Sequence, residues 1–135
     1  MSTLLAKIKI HPGKENTFEA VMQTMYQATH STEDQVIRYE YWRGCEPGFY
    51  YCLLSFATTV DFWRHQASDH HEGEMQRFVD CIAELDLETV DPVQGASPLP
   101  ATQVGTLDRG ASLQLADQAE QFPVSLVQWW LAHRS

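Results

Sequence analysis

Apolar and polar residues alternate along LLAKIKIH, residues 4–11. Ala6, Ile8 and Ile10 fall on one side, and Lys7, Lys9 and His11 on the other; a period of two predicts a strand. Pro12 and Gly13 break it. Phe18, Val21, Met22 and Met25 then recur at spacings of three and four, the stripe of a half-buried helix. That pattern fades by His30, and the polar STEDQ reads as a loop. VIRYEYWR (36–43) and FYYCLLSF (49–56) carry the aromatic and β-branched residues that strands favour. GCEPG between them predicts a hairpin. In the first strand Ile37, Tyr39 and Tyr41 point one way, and Val36, Arg38, Glu40 and Trp42 the other.

Thr58 is placed to cap a helix with Asp61 three residues on, and Ser68 to cap a second, with Asp69 and Glu72 in its first turn. Met75, Phe78, Val79, Ile82 and Leu85 mark a long buried stripe on it. LDLETVD (85–91) is the last strand, stopped by Pro92. The order strand, helix, strand, strand, helix, strand predicts an α+β fold of the ferredoxin-like β-α-β-β-α-β type over residues 1–95. Residues 96–135 form a C-terminal extension: a Gly/Pro-rich linker, then a short helix opening at Pro123 with Val124, Val127 and Leu131 at helical spacing. Its two tryptophans, Trp129 and Trp130, need a surface on which to bury. The second hairpin strand is apolar on both faces, but the predicted helices cover only one. A second copy of the chain is the economical cover, so a homodimer is expected.

Composition narrows the choice of partners. A net charge of −9 with nine scattered basic residues excludes the clustered cations that nucleic acid and anionic membranes demand. No stretch approaches the ~18 apolar residues of a membrane span, and the opening residues lack a signal-peptide pattern. A cytoplasmic protein is expected. Cys45, Cys52 and Cys81 are odd in number and spaced unlike zinc ligands, which suggests reduced thiols with Cys52 and Cys81 in the core.

Candidate chemistry is concentrated in FWRHQASDHHEGEMQRF, residues 62–78. His65 and Asp69 stand at the i, i+4 spacing of helical metal ligands, but His70 and His71 diverge by about 100° and no HExxH occurs. No serine sits in a Gly-x-Ser-x-Gly elbow, and no glycine-rich phosphate loop is present. No metal or nucleotide cofactor is therefore expected. The histidines, Trp63 and the aromatic strands should meet near one end of the sheet, where an apolar cavity with a few polar groups would suit a small molecule.

LLAKIKIHPGKENTFEAVM is similar to the opening strand, Pro-Gly turn and helix of the antibiotic biosynthesis monooxygenase-like proteins. DFWRHQASDHHEGEMQRF resembles their helical signature in His65, Ser68 and His70, with His71 following. The resemblance covers about residues 3–92 and implies a dimeric α/β barrel, two ferredoxin-like sheets packed face to face. It also implies, for some members, oxidation of aromatic polyketides or quinols by O₂ without metal or flavin; a related branch degrades haem, but this first strand lacks that branch's Asn and Trp63 stands seven rather than ten residues before His70, so no haem is expected. The sequence departs from the family's Glu-x-Trp in the strand before the signature helix, with Leu54 and Phe56 at those positions. On this resemblance His70 is the expected base, with His65 as its partner. Tyr39, Tyr41, Trp42, Tyr51 and Trp63 are candidates for binding a small aromatic substrate. The alternative is a non-catalytic dimeric module of the same fold that binds a small ligand or serves a structural role.

Overall fold

A computed structural model describes residues 1–134. Its first ninety residues run β1 (Ser2–Ile10), α1 (Glu15–Thr32), β2 (Val36–Arg43), β3 (Phe49–Phe56), α2 (Thr59–Gln66), α3 (Asp69–Cys81) and β4 (Ile82–Val90). The four strands form one sheet in the order β2-β3-β1-β4, with every neighbouring pair antiparallel. This is the ferredoxin-like α+β arrangement; the single chain's sheet is open rather than closed into a barrel.

One face of the sheet makes the core. Leu4, Ala6, Ile8 and Ile10 of β1 pair beside Tyr50, Cys52, Leu54 and Phe56 of β3 and meet Phe18, Val21, Met22 and Met25 of α1. Phe62 and Trp63 of α2 close the same core. Burying each large apolar side chain contributes ~1.5–3 kcal/mol, so this single layer dominates stability. Gly48 ends the β2–β3 hairpin at φ +80°, a conformation that side chains with a Cβ resist.

Three sequence expectations change. A bulge lies between Val36 and Arg38, so Val36 pairs with Phe56 while Arg38 pairs with Ser55. Two residues therefore oppose one, which moves Val36 to the helix side and leaves Ile37 exposed. Next, α3 stops at Cys81 and β4 begins at Ile82 without a loop, so the expected helical stripe splits between two elements. Val79 and Leu85 are consequently exposed. Third, the extension holds two helices, α4 (Leu113–Gln121) and α5 (Gln128–His133). Pro123 follows the first rather than opening the second.

The extension is tied to the sheet domain at several points. Thr102 donates its hydroxyl to the Val90 carbonyl at 2.6 Å and its N–H to Asp91 Oδ1 at 2.9 Å. Gln103 N donates to the Met1 carbonyl at 2.7 Å. Trp63 Nε1 donates to the Phe122 carbonyl at 2.8 Å, and Val124 is buried in the main core. Arg134 grips both carboxylate oxygens of Asp91, holding that carboxyl below its ordinary pKa.

The other face of the sheet carries Leu5, Lys7 and Lys9 of β1, Phe49, Tyr51 and Leu53 of β3, Trp42 of β2, and Glu84, Asp86 and Glu88 of β4. Trp42 is 61% and Tyr51 37% exposed. No described helix covers the middle of this apolar band.

Candidate functional site

Two neighbouring features carry the polar chemistry: a histidine cluster where α1, α2 and α3 meet, and a cavity between α1 and β2.

The cluster is built by helix ends. Thr58 accepts from Asp61 N at 3.1 Å and starts α2, which carries His65 into the interior. Ser68 caps α3, accepting from His71 N, and its hydroxyl donates to the His65 carbonyl at 2.7 Å. That one serine joins the end of α2 to the start of α3 and sets His65 beside His70. Glu33 caps the far end of α1 and points back at both. His65 Nδ1 lies 2.8 Å and His70 Nε2 3.0 Å from the same oxygen, Glu33 Oε2. Burial opposes the charge of Glu33, but the hydrogen bonds from His65 and His70 outweigh it and hold its pKa below the ordinary value. An ionised carboxylate can only accept, so both imidazole nitrogens carry the shared protons. Ser68 Oγ and Thr29 Oγ1 stand 3.1 and 3.3 Å from His70 Nε2. His71, the next residue, is buried against His65 with ring centroids 5.1 Å apart.

The cavity has a volume of about 630 Å³. Phe18, Met22 and Tyr26 of α1 and Tyr41 of β2 wall it, and Trp42, on the open-face side of β2, borders it at the sheet edge. Arg43 makes two 2.7 Å hydrogen bonds to Glu19, which also accepts from the Tyr50 hydroxyl at 2.9 Å. The Arg43 hydrogen bond is the chief cause that lowers the Glu19 pKa to about 2, so Glu19 stays an anion and is a poor base. Glu40 also lines the cavity and pairs with Arg38 at 2.9 Å.

The family model for antibiotic biosynthesis monooxygenases matches residues 1–78, more than half of the chain. The chain belongs to the antibiotic biosynthesis monooxygenase family. Solved structures agree at the level of the fold. A Caulobacter crescentus protein assigned to these monooxygenases is 22% identical with a TM-score of 0.65, covering 69% of this chain and 90% of its own. A Bacteroides thetaiotaomicron protein with the same assignment is 18% identical with a TM-score of 0.66, over 77% and 95%. Rv0793 from Mycobacterium tuberculosis is 15% identical with a TM-score of 0.64, over 71% and 98%. A search of the curated proteins returns no match.

The family-matched segment contains every candidate site residue read from the sequence, but the fold does not gather them into one site. Tyr41 and Trp42 line the cavity. Tyr39 lies behind it, fully buried, its hydroxyl 2.9 Å from that of Tyr41 and its ring edge-on to His65 at 4.8 Å. His65 and His70 belong to the cluster and do not line the cavity. Tyr51 is on the opposite face of the sheet, and Trp63 anchors the extension. Glu33, Thr29, Glu19, Arg43 and Tyr50 had no sequence signal of their own. Glu33 is hidden in a polar run, and Glu19 and Arg43 are 24 residues apart.

Proposed function

We propose that the chain is a monooxygenase that oxidises a small electron-rich aromatic, such as a quinol or anthrone-type molecule, with O₂ and without a cofactor. The observation that carries this reading is the aromatic-walled α1–β2 cavity with Arg43, Glu19 and Glu40 at its rim. Such a substrate reacts through its oxyanion or carbanion. Arg43 is the cation that favours that form, and its pairing with Glu19 fixes it in place. Of the two carboxylates that line the cavity, Glu40 is the proton acceptor of choice: it borders the cavity from the open-face side of β2 and is held by Arg38 alone, whereas Glu19 is held by both Arg43 and Tyr50. The ionised ring passes an electron to O₂, and the resulting radicals combine. For an anthrone-type carbon, CH₂ loses two hydrogens and gains one oxygen atom as C=O; the second oxygen atom leaves as water. His65 and His70 act as positioning residues, through the packing of His65 on Tyr39 and of Tyr39 on Tyr41.

The working form is proposed to be a homodimer, the apolar open faces of two sheets covering one another. A second reading, a ligand-binding module without catalysis, is favoured by Leu54 and Phe56. Both are buried in the core, so neither can replace a polar Glu-x-Trp pair.

Oxygen uptake with a panel of quinols and anthrones tests the choice. Glu40→Gln and Arg43→Met should each lower kcat/KM by ~10²-fold, as expected for loss of an acid–base or charge-stabilising group. His70→Ala should retain more activity than either. Uptake unchanged in Glu40→Gln and Arg43→Met would overturn the site. Binding of the same molecules without uptake would select the second reading.

A further inference from the structure

The histidine cluster is not needed as the reacting base in the cavity, and its donor set suggests another use. Glu33, His65 and His70 offer one carboxylate oxygen and two imidazole nitrogens that all lie within 4.8 Å of one another. They arrive from the end of α1, the last turn of α2 and the first turn of α3. Two hydroxyls, Ser68 Oγ and Thr29 Oγ1, crowd the same nitrogen of His70. His70 Nε2 thus faces three oxygens at 3.0 to 3.3 Å, although it has one proton to give. A cation placed among these atoms serves all of them at once.

We propose that Glu33, His65 and His70 form a binding site for a borderline divalent transition metal of the Zn²⁺ class. Two imidazoles and a carboxylate are an established ligand set for such ions, with the remaining position open to water. Metal–ligand bonds of ~2.0–2.1 Å in tetrahedral geometry put neighbouring donors about 3.3 Å apart. The observed 2.8 and 3.0 Å separations from Glu33 Oε2 need to widen by only a few tenths of an ångström, as the two shared protons leave. His65 is 1% exposed, whereas the side chains of His70 and Glu33 are 19% and 17% exposed, so the ion enters between the last two. The bound ion would add a direct link among three helix ends that hydrogen bonds and packing already bring together. It stands apart from the cavity, so it does not depend on the proposed oxidation.

The test uses the full chain, freed of any affinity tag and treated with a chelator, then titrated with Co²⁺ alone. One equivalent should give the intense visible d–d bands of a low-coordinate site, be displaced by Zn²⁺, and raise the Tm. Glu33→Gln and His70→Ala, both at partly exposed positions, should weaken binding by at least ~10²-fold, more than loss of an outer-shell partner typically costs. Circular dichroism checks that they remain folded. His71→Leu and Cys45→Ser should bind as the wild type does. The proposal is overturned by absence of the bands, by equal binding in Glu33→Gln and His70→Ala, or by loss of binding in Cys45→Ser.

Discussion

His71 is 8% exposed, and its Nδ1 has no hydrogen-bond partner among the described residues. Burial, followed by the nearby His65 and His70, drives its pKa down to about 3, against the weaker pull of Glu33. The folded state therefore keeps this ring neutral while the unfolded chain protonates it. Its stability contribution is complete above about 6.5 and declines as the pH falls toward 3. The slope is at most ~1.4 kcal/mol per pH unit. Glu33, whose folded pKa is lowered, acts in the same sense only below its ordinary value of 4.5. Urea unfolding at pH ~7 and ~5 should thus show acid-labile stability in the wild type and a flatter profile in His71→Leu. Equal slopes would refute this account of His71. At this scale the sequence was informative where a residue type is rare and clustered. His65 and His70 stood out for that reason, and Ser68 as a helix cap between them. Glu33 did not, because one carboxylate in a polar run differs from its neighbours only in what the fold brings to it.

Helix caps and a hairpin set the element boundaries that sequence could read. Thr58 and Ser68 cap as their spacing predicts, and β2 and β3 occupy the expected residues because glycines and a proline separate them. The α3–β4 junction was illegible because no breaker intervenes, and Ile82 and Leu85 continue the helical period by coincidence. α4 lies beyond a Gly/Pro-rich stretch and packs only the partly buried Leu115 and Ala119, with Phe122 just after it, against the core, too short a pattern to stand out. Those contacts make the extension structural for α2. Trp63→Phe removes the hydrogen bond to the Phe122 carbonyl and part of a buried ring, with an expected cost of ~1–3 kcal/mol. Truncation of residues 97–135 should lower the Tm and raise dye binding to exposed apolar surface. An unchanged Tm after truncation would show that α4 and the chain from Thr102 to Val124 contribute nothing to the fold.

For the whole molecule, the decisive surface is the open face of the sheet. Leu53 sits in the middle of β3, opposite Leu5 on one side and Glu40 on the other. Its substitution by Asp leaves the core face untouched and puts a charge in the centre of the proposed dimer contact. Light scattering should report a dimer for the wild type and a monomer for Leu53→Asp; a wild-type monomer would remove the face-to-face assembly. The fold class was legible from element order alone, but this face was legible only as an excess of apolar residues, since one sequence does not show what covers it. The bulge at Ile37 has a consequence for how such a face can be used. It interrupts the regular ladder of N–H and C=O groups on the outer edge of β2, while β4 borders the other edge with Glu84, Asp86 and Glu88. Neither rim offers the flat, uncharged template on which strands of further molecules would add. The bulge and the carboxylates disfavour edge-to-edge stacking into fibrils, so association through the apolar face, as proposed, would end at a finite particle.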